Sequence, residues 1–419
     1  LQFRRPGHHP VSERDTHFGR YSSLLQDCHG PGGVDAFLGK VDLAACRHED
    51  RRKGCRLDLG GHFGGGGVVQ HQQCVAGADE LPGLSCEEEV NARRDIEKGG
   101  RHPWQTRFGP MDEAVFRSLP DTHWTLLVND VEKYLPELAW IIDRFRFIPE
   151  WCVDDLMISY AAEGGSVGPH LDQYDVFILQ AQGHRHWQLH GQAVAEDNQV
   201  AGTELRIQKD FQAEQEWLLS PGDLIYIPPG VSHYGVAQDE CMSFSIGFRA
   251  ATHAEMLQDF VEFVSRGLPD DAVFRDPGLA VQQHANEITA ATMDAVRTIL
   301  LDYLRPDHPE LPRWFGRFVS DVKTDITPGT GQIAADFSQL VATHGVLARH
   351  PASHYAFSRC NNGALLFVDG DDFDVSVGFA EALCAQRQVD VRALAGMART
   401  AERQLLLDLY NGGKLTASF

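Results

Sequence analysis

The chain has 419 residues, 43% of them hydrophobic and 23% charged, with a formal net charge of −22. That length allows two or three domains with sizeable cores, and the acidity speaks against strong direct nucleic-acid binding and suits a basic protein partner. No run of about 18 apolar residues occurs, so no membrane span is expected, and Leu1 to Pro6 lack the apolar core of a signal peptide, which makes the cytoplasm the expected location.

Residues 1–80 are the least interpretable stretch. Gly60 to Gly67 is of low complexity, no apolar period persists, and disorder is expected there. His62, His71 and Cys74 are too irregularly spaced for a metal motif, and the nine cysteines of the chain form no C-x-x-C pair and no disulfide framework. Regular patterning begins near Leu81. Glu87 to Asp95 reads as helical or as a strand edge, and Trp104 to Phe108 as a strand. Residues 124–146 carry apolar residues at helical spacing, which predicts core helices. Asp154 to Ala161 is a predicted strand running into the turn at Gly164 and Gly165.

The chemistry is expected next, in Gly168-Pro169-His170-Leu171-Asp172-Gln173-Tyr174-Asp175-Val176-Phe177. From His170 onward this reads as a strand, so His170, Asp172 and Tyr174 would share a face. An imidazole and a carboxylate two residues apart can hold one metal ion, and a 2-His-1-carboxylate set with open positions suits non-haem Fe(II). A second histidine comes from Pro221-Gly222-Asp223, an apolar strand Leu224 to Ile227, the turn Pro228-Pro229-Gly230, and then His233, which opens another strand. A jelly-roll barrel brings a third ligand to its mouth in this order. Between the two motifs, Arg185 falls on a strand expected to lie next to that of His170, and its guanidinium fits a bidentate grip on a carboxylate. Cys241 to Phe248 is an alternating strand that places Ser243 and Ser245 on one face.

Beyond Arg249 the pattern turns helical. Thr252 and Glu255 form a capping box before a stripe of Met256, Phe260 and Val264. Further helices are predicted over about 284–304 and 312–324, making either an independent bundle or a dimer interface. The tail joins helices to a hairpin, Ala364 to Val368 and Phe373 to Ser376, and suggests a small winged-helix-like domain.

Asp154 to Ser159, Gly168 to Phe177, Pro221 to Gly230 and Ser245 to Arg249 together resemble the bacterial JmjC-type ribosomal oxygenases, the YcfD or RoxA group. The resemblance implies a double-stranded β-helix (jelly-roll, cupin-like) catalytic domain over 81–250, a helical dimerisation domain over 251–326 and a winged-helix-like domain over 327–419. It implies an Fe(II)- and 2-oxoglutarate-dependent dioxygenase, with 2-oxoglutarate and O₂ as co-substrates, that hydroxylates an arginine β-carbon in a large-subunit ribosomal protein of the L-sixteen family, and a homodimer. His170, Asp172 and His233 match the iron ligands, Arg185 the residue that binds the distal carboxylate of 2-oxoglutarate, and Ser245 a further co-substrate contact. Asp155, Met157 and Tyr174 match the pocket for the substrate arginine. Residues 1–80 show no counterpart of the family's N-terminal helix. The alternatives are a histidyl hydroxylase or demethylase of the same class, and a non-oxidative metal-binding cupin.

Overall fold

The computed structural model describes Met111 and residues 113–191, 198–200, 206–275, 281, 284–322 and 333–417, with four short strands in the first 108 residues. Those strands are β1 (Phe3–Arg4), β2 (Leu38–Lys40), β3 (Glu89–Arg93) and β4 (Trp104–Phe108). The rest of the expected disorder over 1–80, with His62, His71 and Cys74, lies outside the described residues. The chain divides into two compact units, 1–250 and 251–419.

The first unit is a sandwich of two antiparallel sheets. After helix α1 (Glu113–Arg117) come β5 (Trp124–Val128), α2 (Val131–Tyr134), α3 (Ala139–Asp143) and β6 (Val153–Ala161). Six strands follow: β7 (Val176–Gln182), β8 (Arg185–His190), β9 (Gln215–Leu219), β10 (Asp223–Ile227), β11 (Ser232–Ala237) and β12 (Cys241–Phe248). The larger sheet has nine strands in the order β1-β2-β10-β7-β12-β6-β5-β3-β4, and the smaller one runs β11-β8-β9. Alternation of side chains sorts the two faces of the large sheet. Leu156, Ile158, Phe177, Leu179, Phe244 and Ile246 pack with α2 and α3 on its outer face. Val176, Ile178, Ile225 and Ile227 pack inward with Trp187 and Leu189 of the smaller sheet.

Two expectations are corrected here. Residues 124–146 begin with a strand, not a helix. Left-handed backbone at His123 (φ 65°) and Asp130 (φ 57°) brackets a segment too short for a helical face, and its aromatic and β-branched residues pair with β3 and β6 instead. The strand expected from His170 starts only at Val176. His170 makes one isolated antiparallel bridge, and Leu171 to Asp175 are irregular. Pro169 removes a ladder donor just before His170, and Gly168 at φ 84° turns the chain, so no continuous ladder forms there.

In the second unit, Thr252 accepts the Glu255 N–H and Glu255 accepts that of Thr252, so the capping box opens α4 (His253–Arg266) as expected. Helix α5 (Ala290–Tyr303) starts six residues later than the 284 expected, and it buries none of its residues. Helix α6 (Leu311–Ser320) packs on α4 through Phe260, Trp314 and Phe318, and Trp314 Nε1 donates to Asp259 at 2.6 Å. The same helix lies on a sheet of β14 (Tyr355–Cys360), β15 (Gly363–Val368) and β16 (Asp371–Val375), which follow β13 (Val346–Arg349). Gly316 permits this approach, because a Cβ there would meet the Phe367 ring at 2.2 Å. Leu366, Phe379, Leu383, Leu394 and Leu406 fill the core behind the sheet.

Candidate metal and co-substrate site

His170 and His233 are brought together by backbone pairing. Each donates its N–H to the other's carbonyl, at 3.0 and 2.8 Å, and a directly opposed antiparallel pair of this kind places side chains on the same face. The two rings stand 4.2 Å apart between centroids. Asp172 is carried on the irregular segment and is fixed by its carbonyl, which accepts the Gly230 N–H at 2.7 Å. Gly230 has φ 77°, so the Pro228-Pro229-Gly230 turn that precedes His233 also holds Asp172. The expected common orientation therefore arises from one bridge and one turn, not from strand alternation.

Asp172 Oδ2 lies 3.8 Å from His170 Nε2 and 3.6 Å from His233 Nε2, and the three donor atoms all lie within 4.8 Å of one another. Each Nδ1 sits on a backbone carbonyl, Gly168 at 2.9 Å and Val231 at 3.0 Å, which leaves each Nε2 lone pair facing the shared space. Burial, with the His170 ring beside it, pushes His233 down to about 3, so its imidazole stays neutral and able to ligate. Among the described residues this is the one cluster of three or more His, Cys, Asp or Glu side chains that could hold a metal ion. Its donor set, two imidazoles and a carboxylate, fits Fe(II) or a similar divalent ion.

Arg185 faces inward on β8, on the same face as Trp187 and Leu189, and is only 5% exposed. Its strand lies next to that of His233 rather than that of His170, since Arg185 pairs with Ala237 and Leu189 with His233. Nη1 donates to Ser159 Oγ at 3.2 Å, while Nε and Nη2 have no partner among the described residues. A buried guanidinium with two unmet nitrogens is destabilising unless an anion arrives. A carboxylate would meet both nitrogens at once. Ser159 was not anticipated, although the inward period begun by Asp155 and Met157 continues to it.

Ser245 is buried on β12, opposite Met157 on β6 and Ile178 on β7. Ser243, on the same face, is already engaged, donating to Gln180 Oε1 at 2.8 Å. Asp155 and Met157 are half-buried on β6. Burial raises Asp155 to about 7. Tyr174 is 42% exposed, yet its phenol hydrogen-bonds to Asp172, and burial of the hydroxyl with the charges of Asp172 and Asp155 pushes it well above the ordinary tyrosine value. It therefore lies near both Asp172 and Asp155.

Residues 140–256 match the JmjC domain and residues 304–416 the ROXA-like winged helix. The ribosomal protein uL16 3-hydroxylase of Escherichia coli is 36% identical over 253 residues, which cover 60% of this chain and 66% of that protein. A probable ribosomal oxygenase of Haemophilus influenzae is 34% identical, over 53% of this chain and 55% of that one. The chain thus spans about two thirds of the first relative and about half of the second. The crystal structure of the Escherichia coli ribosomal oxygenase YcfD aligns with a TM-score of 0.69 and 26% identity, covering 84% of this chain and 91% of that one. YcfD in complex with cobalt and 2-oxoglutarate aligns with a TM-score of 0.68 and 27% identity, over 83% and 90%.

Proposed function

Because the chain belongs to the JmjC-domain proteins that carry a ROXA-like winged helix, we propose that it is an Fe(II)- and 2-oxoglutarate-dependent protein hydroxylase acting on an arginine β-carbon of the ribosomal protein uL16. His170, Asp172 and His233 would hold the metal, which with 2-oxoglutarate and O₂ supplies the oxidant for an unactivated C–H bond. Overall, substrate, 2-oxoglutarate and O₂ give hydroxylated substrate, succinate and CO₂.

The observation that carries the reading is the orphaned Arg185 guanidinium. It lies on the strand beside that of His233, opposite a position four residues, or about 13 Å, along β11. An arginine side chain and a short dicarboxylate together bridge such a gap, with one carboxylate on Arg185 and the other end at the metal. Arg185 therefore binds and orients the co-substrate, and Ser245 lines the same inward face. Asp155 accepts the substrate guanidinium in a charge-assisted pair, Met157 flanks it, and Tyr174 walls the space between that pair and Asp172. The half-buried acid favours arginine over a histidyl substrate.

The catalytic domain is assigned to 81–250, a helical dimerisation domain to 251–326 and the winged-helix-like domain to 327–419. Leu257, Val261, Met293, Leu300 and Leu301 leave an exposed apolar surface on α4 and α5 that a second copy would cover, giving a homodimer. No helix of the described residues is long and apolar enough to cross a membrane, and the proposed ribosomal substrate supports work in the cytoplasm. The net charge of −22 fits a basic protein substrate better than direct nucleic-acid binding.

The test is mass spectrometry of an arginine-containing uL16 peptide incubated with the protein, Fe(II) and 2-oxoglutarate. One added oxygen on the arginine is expected. Succinate formation with the peptide unmodified would point to another substrate, and no 2-oxoglutarate turnover at all would favour a non-oxidative cupin.

A further inference from the structure

The turn Asp130 to Lys133 is built onto the strand that carries Asp155. The last β5–β6 pair is Val128 with Ile158, so β5 offers no acceptor for the Leu156 N–H. Glu132 takes that place, its Oε2 accepting the Leu156 N–H at 3.0 Å. Burial raises Glu132 to about 8, which keeps a further full charge out of the cluster near neutral pH. In the opposite sense, the backbone N–H of Asp130 donates to Asp155 Oδ2 at 3.0 Å. That N–H is presented by left-handed backbone, which Asp, Asn and Gly tolerate best. The Asp130 carboxylate is in turn bound by Lys133 Nζ, whose side chain is only 5% exposed. On the other side of Asp155, a Cβ at Gly247 would stand 3.3 Å from Oδ1.

We infer that Lys133, acting through Asp130, is a positioning residue that aims the Asp155 carboxylate at the substrate guanidinium, with Gly247 keeping the Oδ1 side open for it. The inference rests on the reading of Asp155 as the guanidinium acceptor. A lysine buried beside a turn could serve stability alone. Among the described residues, its one ion-pair partner is the residue whose N–H fixes Asp155, and both bonds from the turn land on consecutive residues of the substrate-facing strand.

The experiment compares Lys133→Met, Lys133→Arg, Gly247→Ala and Asp155→Asn in the full chain. The readouts are KM and kcat for an arginine peptide, hydroxylated peptide formed per succinate released, and the melting curve. Lys133→Met should raise the peptide KM about tenfold, with a smaller change in kcat, and lower the coupling ratio. Lys133→Arg should recover most of both. Gly247→Ala should give the same signature without touching the lysine, which keeps the test decisive if Lys133→Met does not fold. Folded Lys133→Met or Gly247→Ala protein with peptide KM and coupling within about twofold of the parent overturns the inference. Asp155→Asn that hydroxylates arginine normally overturns the reading beneath it, whereas loss in Asp155→Asn alone, with the other variants unaffected, overturns only the positioning role.

Discussion

Two buried charges of the C-terminal unit and two of the barrel unit are treated in opposite ways. In the C-terminal unit Arg349 and Glu402 are compensated from within. Arg349 sends Nε to the Gln386 carbonyl at 3.2 Å and stacks its guanidinium over the Tyr355 ring at 5.2 Å. Burial alone would raise Glu402, but the N–H groups of Arg399 and Ser376, both at 2.6 Å, outweigh it and leave the carboxyl below its usual value. In the barrel unit, Arg185 keeps two unmet nitrogens and Asp155 is driven up to about 7 by burial. Polarity that the fold leaves uncompensated marks where a ligand is expected; polarity that it satisfies marks packing.

The largest effect that would sharpen this contrast is loss of the ligand set. His170→Ala, Asp172→Ala or His233→Ala, or removal of the metal with a chelator, should cut hydroxylation by about a thousandfold or more. The melting curve should change far less than the rate, and a comparable collapse of both would break the contrast. Conversely, Leu366→Ala in the C-terminal core should destabilise that unit by about 2–5 kcal/mol, measured by denaturant unfolding. Hydroxylation of a short peptide should persist, and its loss would show that the second unit contributes more than packing.

Arg185→Met comes next. Losing a charge-assisted, bidentate seat should raise the KM for 2-oxoglutarate by about a hundredfold, equivalent to about 2.7 kcal/mol. The melting temperature of the ligand-free protein should not fall, because the change removes a buried and incompletely paired charge while keeping side-chain bulk. The smallest effect is in pH. Asp155 must be ionised to hold a guanidinium, and the guanidinium stays charged throughout. With Asp155 raised to about 7, the peptide KM should fall as pH rises from about 6 to 8, by up to about tenfold per unit below 7. Asp155→Asn should flatten that dependence; an unchanged profile would remove Asp155 from the pocket.

Much of the site was legible because its signals are local. Proline, glycine and an apolar run delimit β10 and the turn before His233, and the capping box at Thr252 and Glu255 is a four-residue pattern. The strand Asp154 to Ala161 was also readable from its β-branched and alternating residues, one residue short of its observed start. Where reading failed, a local pattern was outvoted by distant partners. Trp124 to Val128 carries apolar residues that suit a helix as well as a strand, and pairing with β3 and β6 decides the matter. The stretch from His170 looks like a strand, yet before Val176 only His170 forms a ladder bridge.

The sequence by itself determined which side chains could do chemistry and in what order they occur, because side-chain chemistry and turn preference belong to individual residues. Only the tertiary structure decided that His170 and His233 are opposed across one bridge, that Arg185 lies beside the His233 strand with two nitrogens unmet, and that Asp130 and Glu132 bond to the Asp155 strand. Register and burial depend on contacts between residues far apart in the chain, and it is these contacts that turn a list of capable residues into a site.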